Sequence, residues 1–177
     1  MNFQTYPFEK LTQLLSDITP NPDLEPLTLT IGEPQFQTPD FIQETLCKTS
    51  PYLNKYPKTA GEQILKDAQR SFVKKRFNID LEPSQIIPSF GTREVLFNFP
   101  QFLLFDIEKP VMAFPNPFYQ IYEGAAIASR AEIIHLNLTK ENNFKAPIEP
   151  EVLKRCDFVI INYPNNPTAA SATLEEL

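Results

Sequence analysis

The feature that most constrains this chain lies after Pro83, where short apolar runs alternate with helix-like stretches. Ile86 to Ser89 reads as a strand end, Thr92 to about Phe105 as a helix, Val111 to Phe114 as a strand and Pro117 to Arg130 as a helix. Ala131 to Leu138 and Phe158 to Asn162 are further strands, with a polar connection and a short helix between them. Apolar strands interleaved with helices are covered by those helices on the faces of a sheet, so the expected class is α/β with a mostly parallel sheet. Pro100 should kink or shorten the helix it interrupts.

The region before Pro83 reads differently. Phe8, Leu11, Leu15 and Ile18 stand at helical spacing and run into the proline-rich stretch Pro20 to Pro26, a short helix followed by an extended linker. Leu27 to Ile31 is a brief β-like run ending at Gly32. Thr38 and Pro39 supply an N-cap and a first-turn proline for a helix through about Lys48. A loop from Pro51 to Ala60 leads to Gly61, and from Glu62 to Phe77 the residues Ile64, Leu65, Ala68, Phe72 and Val73 form one apolar stripe opposite Lys66, Asp67, Arg70, Lys74 and Lys75. At the far end Thr173-Leu174-Glu175-Glu176 is a capping box, which announces another helix and implies a domain that continues past Leu177.

Composition narrows the function classes. With 177 residues and 42% hydrophobic content the chain is long enough to build a core. A net charge of -6 without a Lys/Arg block argues against holding nucleic acid or an anionic membrane by bulk charge. Cys47 and Cys156 are far apart and the single His135 lies in an apolar strand, so neither a disulfide framework nor a metal site is expected. The start has no basic n-region followed by an apolar segment, and no run approaches the ~20 apolar residues of a membrane span; the cytoplasm is the expected home.

Only four glycines are present, and three mark junctions. In Ser89-Phe90-Gly91-Thr92-Arg93-Glu94-Val95 a strand end turns into a helix N-terminus, exposing unpaired N–H groups beside the positive end of a helix dipole, where a phosphate fits; Arg93 can add charge, and Ser89 and Thr92 can add hydroxyl donors. In Asn116-Pro117-Phe118-Tyr119-Gln120-Ile121-Tyr122, Asn116 reads as an N-cap and Pro117 as the first helical residue, which puts Tyr119 in the first turn above the carboxyl end of the sheet. An aromatic face there can stack on a planar heterocycle, or simply pack in the core. After the last strand comes Tyr163-Pro164-Asn165-Asn166-Pro167-Thr168, where Asn166, held extended by the following proline, can present its amide at the same sheet edge or serve as an ordinary turn residue. Leu29 to Pro39, containing Gly32, and Tyr56 to Gly61 decide nothing alone.

Taken together and in this order, these segments resemble the class I/II aminotransferases of the fold-type I pyridoxal-phosphate enzymes. The resemblance runs from Leu29 to Leu177 and corresponds to the N-terminal arm and about the first half of such an enzyme. It implies an incomplete large domain of that fold over 51–177, preceded by an arm and small-domain segment over 1–50. It also implies a pyridoxal 5′-phosphate cofactor, an amino acid and a 2-oxo acid as substrates, and a homodimer in the full-length form. Tyr163-Pro164-Asn165-Asn166-Pro167-Thr168 resembles the family's N-P-T-G element, so Asn166 matches the asparagine that bonds the cofactor's phenolic oxygen; Ala169 stands where the family has Gly, and a turn needing positive φ is strained by Ala. By the same likeness Gly91, Thr92 and Arg93 cradle the phosphate, Tyr119 stacks on the ring, Tyr56 reaches the phosphate of the neighbouring subunit, and Ile31 and Gly32 meet the substrate carboxylate. Ile-Gly-Glu-Pro-Gln-Phe, Phe-Gly-Thr-Arg-Glu-Val-Leu-Phe-Asn-Phe and Asn-Pro-Phe-Tyr-Gln-Ile-Tyr most resemble family members acting on N-succinyl-diaminopimelate in lysine biosynthesis.

In the family the lysine that bonds the cofactor and shuttles a proton, the carboxylate that keeps the pyridine nitrogen protonated and the arginine that clamps the substrate all follow the N-P-T-G element. None of the lysines present matches the first of these, so no catalytic residue is assigned and the 177-residue chain alone is expected to be inactive. Two other readings stay open from sequence: a non-catalytic remnant that binds a phosphate or a partner subunit, and a β-elimination lyase of the same family.

Overall fold

The computed structural model describes residues 5–27 and 29–176. Their contacts divide the chain into two compact units, Thr5–Pro88 and Ser89–Leu177.

In Thr5–Pro88 three helices form: α1 (Pro7–Leu15), α2 (Asp40–Thr49), which leads into a 3₁₀ turn at Ser50–Asn54, and α3 (Gln63–Phe77). α2 is capped by Pro39 rather than Thr38. α3 begins one residue after the expected Glu62 and ends as expected. It terminates at Asn78, whose left-handed backbone (φ 55°) turns its N–H onto the Lys74 carbonyl at 2.9 Å. Lys74, Lys75 and Arg76 occupy the last turn, at the negative end of the dipole. Arg70 Nε donates to the Leu81 carbonyl at 2.6 Å and Lys74 pairs with Asp80 at 2.6 Å, which returns the chain along the helix.

Two expectations need correction in this unit. Ile86 to Ser89 forms no strand; a 3₁₀ turn at Pro83–Gln85 precedes it, and Pro88 removes a ladder donor inside the run. The β-like run Leu27 to Ile31 includes Thr28, which lies outside the described residues, and its described members Leu29 and Ile31 are exposed and belong to no strand.

Ser89–Leu177 follows the expected alternation: α4 (Thr92–Leu103), β1 (Val111–Asn116), α5 (Ile121–Ala128), β2 (Glu132–Asn137), α6 (Pro150–Leu153) and β3 (Phe158–Val159). The strands form one parallel sheet in the order β2-β1-β3, with Val111 opposite Glu132 and Met112 opposite Phe158. β1 is central, and its four residues Met112–Pro115 are all buried, as befits a strand covered on both faces. Met112, Phe114, Tyr122, Ala126 and Ile160 form the core cluster, with Leu96 of α4 packed against it. α4 also reaches β3 through an edge-on contact of Phe99 with Phe158 at 6.3 Å.

Pro100 is buried inside α4, which stops one turn later at Leu103 rather than Phe105. β3 is shorter than Phe158 to Asn162, although the Ile160 N–H still bonds the Ala113 carbonyl at 2.9 Å. α5 starts at Ile121, not Pro117. Proline disfavours helical geometry in the residue before it, so the strand persists through Asn116, whose amide donates across to Asn137 Oδ1 at 2.9 Å instead of capping a helix. The capping box at Thr173 is half realised: the Thr173 N–H donates to Glu176 Oε2 at 2.8 Å within a turn, and Leu177 lies outside the described residues.

Candidate functional site

Strand direction fixes which edge of the sheet can hold a ligand. The end of α4 (Leu104, Phe105), the residue before β1 (Pro110) and the end of α5 (Ala128, Ser129, Arg130) line one cavity of about 520 Å³. Both helices therefore finish where the strands start. Their N-termini accordingly lie toward the opposite edge, the carboxyl ends of the strands, where open parallel sheets bind ligands.

At that edge Gly91 is the N-cap of α4, with φ 103° and no side chain capping the helix. An added Cβ would meet nothing within 4 Å, so the space before the helix is open. Gly91, Thr92 and Arg93 are all exposed. Glu94 reaches back to accept the Phe90 N–H at 2.8 Å, which fixes the turn entering the helix and leaves the N–H groups of its first residues facing outward. Sequence reading gave Glu94 no role; an acidic residue in the first turn after a glycine was the available signal.

Tyr119 lies in the connection between β1 and α5 rather than in the first helical turn. Its half-buried ring meets Tyr122 edge-on at 5.9 Å and packs against the core cluster. Burial, and then the neighbouring Tyr119, push the Tyr122 phenol up from its ordinary value. Phe118 also packs against the core cluster, edge-on to Phe114 at 5.0 Å, and stacks on the exposed ring of His135 at 5.6 Å, so the single histidine is a strand residue as expected.

Beyond β3, Asn166 is exposed while Asn165 is buried. Asn165 bonds across the loop three times: its N–H to the Ala170 carbonyl at 2.9 Å, its carbonyl from the Ala169 N–H at 2.7 Å, and its Nδ2 to Thr168 Oγ1 at 2.9 Å. Ala169 adopts φ 58°, so the turn forms with alanine in left-handed backbone. Sequence reading missed Asn165. The signal was the adjacent pair of amides beside Pro167, of which the bonds that close the loop bury one.

Gly91, Thr92, Arg93, Tyr119 and Asn166 thus all belong to Ser89–Leu177. Tyr56, Ile31 and Gly32 belong to Thr5–Pro88: Tyr56 is fully exposed between the 3₁₀ turn and α3, and Ile31 and Gly32 are exposed in the segment before α2. Among the described residues no group of three or more His, Cys, Asp or Glu could hold a metal ion, and no helix is long and apolar enough to cross a membrane.

A family model described as aminotransferase class I and II matches residues 25–177. LL-diaminopimelate aminotransferase of Dehalococcoides mccartyi is 34% identical over 157 residues, covering 85% of this chain and 40% of the relative. A probable aspartate/prephenate aminotransferase of Rickettsia conorii is also 34% identical, over 85% of this chain and 38% of its own length. The crystal structure of aminotransferase AspB from Helicobacter pylori superposes with a TM-score of 0.94 at 52% identity, covering 99% of this chain and 46% of that one. The chain spans less than half the length of these proteins. Family enzymes use pyridoxal 5′-phosphate, and a parallel sheet whose carboxyl edge carries an uncapped glycine-led helix start is the scaffold such a cofactor requires. Sequence match, backbone superposition and sheet-edge geometry agree that the chain belongs to the class I and II aminotransferases.

Proposed function

We propose that the protein to which these residues belong is a pyridoxal-phosphate-dependent aminotransferase that moves an amino group from an amino acid to 2-oxoglutarate. The observation that supports this is the topology: α4 starts uncapped at Gly91, and Tyr119 and Asn166 stand on the segments that follow the carboxyl ends of the parallel strands β1 and β3. These residues fit the cofactor. Thr92 and Arg93 offer backbone N–H groups, a hydroxyl and a cation to its phosphate. Tyr119, held by its contact with Tyr122, would cover one face of the ring. Asn166 would donate its amide to the phenolic oxygen. When bound, the cofactor acts as an electron sink for the carbanion formed on loss of the substrate's α-proton. The chain's contribution is orientation and charge balance; the Schiff-base lysine, the pyridine-facing carboxylate and the carboxylate-binding arginine are not among these residues.

Ile31 and Gly32 would meet the substrate carboxylate, and Tyr56 would reach the phosphate in a partner subunit of a homodimer. In this assignment residues 1–50 serve as the arm and small-domain segment and 51–177 as the first part of the cofactor-binding domain. The relatives' names include LL-diaminopimelate and aspartate/prephenate, compounds with two carboxylates. That favours a donor bearing a carboxylate beyond the α-carboxylate, and the sequence motifs favour N-succinyl-LL-diaminopimelate.

The test supplies the encoded protein with pyridoxal phosphate, 2-oxoglutarate and a panel of N-succinyl-LL-diaminopimelate, LL-diaminopimelate and aspartate, and follows glutamate. Glutamate formation, fastest with the succinylated donor, is expected, and a polypeptide of residues 1–177 alone should form none. No glutamate with any donor, or pyruvate released from cysteine-type substrates instead, overturns the reading.

A further inference from the structure

We propose that Asn165 is a positioning residue that aims Asn166, acting through Thr168; the inference rests on the role given to Asn166 above. Asn165 is 4% exposed and its Oδ1 is buried with no partner among the described residues. For stability alone an apolar side chain suits such a place better than an amide with one half unpaired. What the amide supplies is shape. Its Nδ2 bonds Thr168 Oγ1 while its main chain bonds Ala169 and Ala170, so one residue holds both sides of the loop that carries Asn166 and Pro167. Ala169 in left-handed backbone works against that closure, and the Asn165 carbonyl is the acceptor that holds the Ala169 N–H in place. With the Asn165 side chain fixed inward, the turn over 166–168 that its carbonyl closes leaves Asn166 exposed.

The measurement is the affinity of the encoded protein, freed of cofactor, for pyridoxal phosphate and for its 3-deoxy analogue, which lacks the phenolic oxygen. The unaltered protein should prefer pyridoxal phosphate by about tenfold or more, the value of one hydrogen bond to a charged oxygen. Asn165→Ala and Thr168→Val should each bring the two affinities close to parity, whereas Thr168→Ser, which keeps the hydroxyl, should retain the preference. A residue with only a structural role weakens both ligands alike and leaves their ratio unchanged, so an unchanged ratio in Thr168→Val overturns the inference even if Asn165→Ala fails to fold. No preference in the unaltered protein, or a preference that survives Asn166→Ala, sinks the role of Asn166 instead.

Discussion

The two units use the same kind of helix and end up with different interiors. All the buried apolar side chains among the described residues, including Leu104, Met112, Phe114, Tyr122 and Leu136, lie in Ser89–Leu177. In Thr5–Pro88, α1, α2 and α3 bury no residue, and Ile64 and Phe72 of the apolar stripe on α3 are 82% and 62% exposed. Periodic apolar spacing is enough to make a helix, but core forms only where a second surface meets it. β1 has such surfaces on every side, from α4, α5 and its two neighbouring strands, whereas among the described residues Ile64, Leu65 and Phe72 of the stripe on α3 stay exposed.

Core truncation gives the largest test of that contrast. Phe114→Ala should cost about 3–5 kcal/mol of unfolding free energy, and Phe36→Ala, at a side chain 94% exposed, no more than about 0.5 kcal/mol. Urea denaturation of the encoded protein reads both. If Phe36→Ala proved as costly as Phe114→Ala, the apolar surface of Thr5–Pro88 would be covered in solution, and a dependence of that cost on protein concentration would identify a second copy as the cover.

The glycines sharpen the comparison at the next level. Gly61 has φ 81°, and an added Cβ would run into the Pro88 ring, so Thr5–Pro88 contains one tightly fitted contact despite its open helices. Gly61→Ala combines backbone strain of about 1–2 kcal/mol with overpacking of about 1–3 kcal/mol. Gly91→Ala meets open space and carries backbone strain alone, about 1–3 kcal/mol. Equal costs at the two positions would show that the Pro88 contact relaxes freely.

What the sequence made legible follows the same division. The order of strands and helices from α4 onward, the extent of α3 and the glycine start of α4 rest on local signals of periodicity and backbone freedom, and they appear where expected. The start of α5 was misplaced because a proline after asparagine fits a helix start and a strand end equally well; pairing of β1 with β2 decides for the strand. Ile86 to Ser89 has strand composition and no neighbour to pair with. For the proposed site, the motifs point to Gly91 and Asn166 but not to the buried neighbour Asn165, because which of two adjacent asparagines turns inward is decided by the loop's closing bonds.

Ala169 gives a smaller effect of opposite sign. Its φ of 58° costs an alanine about 1–2 kcal/mol, and glycine would remove that while adding about 0.5–1 kcal/mol of unfolded-chain entropy. Ala169→Gly should therefore raise stability by up to about 1.5 kcal/mol, read as a higher urea midpoint at unchanged slope. A lower midpoint would mean that the loop does not hold this residue in left-handed backbone.

The smallest expected effect is electrostatic. The Lys145 ammonium donates to both Glu176 carboxylate oxygens, at 2.6 and 2.7 Å, and this bond, followed by that from the Thr173 N–H, holds the Glu176 carboxyl below its ordinary value. Because the folded value lies below the unfolded one, the stabilisation is fully present above the unfolded carboxylate's titration and is lost as pH falls through the folded value. The carboxylate is open to solvent, so salt screens the pair and global stability should barely move. The informative measurement is therefore local: the Glu176 side-chain carbon followed by NMR against pH. Lys145→Met should move its midpoint upward, toward the ordinary range but short of it, because the Thr173 N–H still donates. An unmoved midpoint would make Thr173 the dominant cause and the link between Lys145 and Glu176 incidental to the turn.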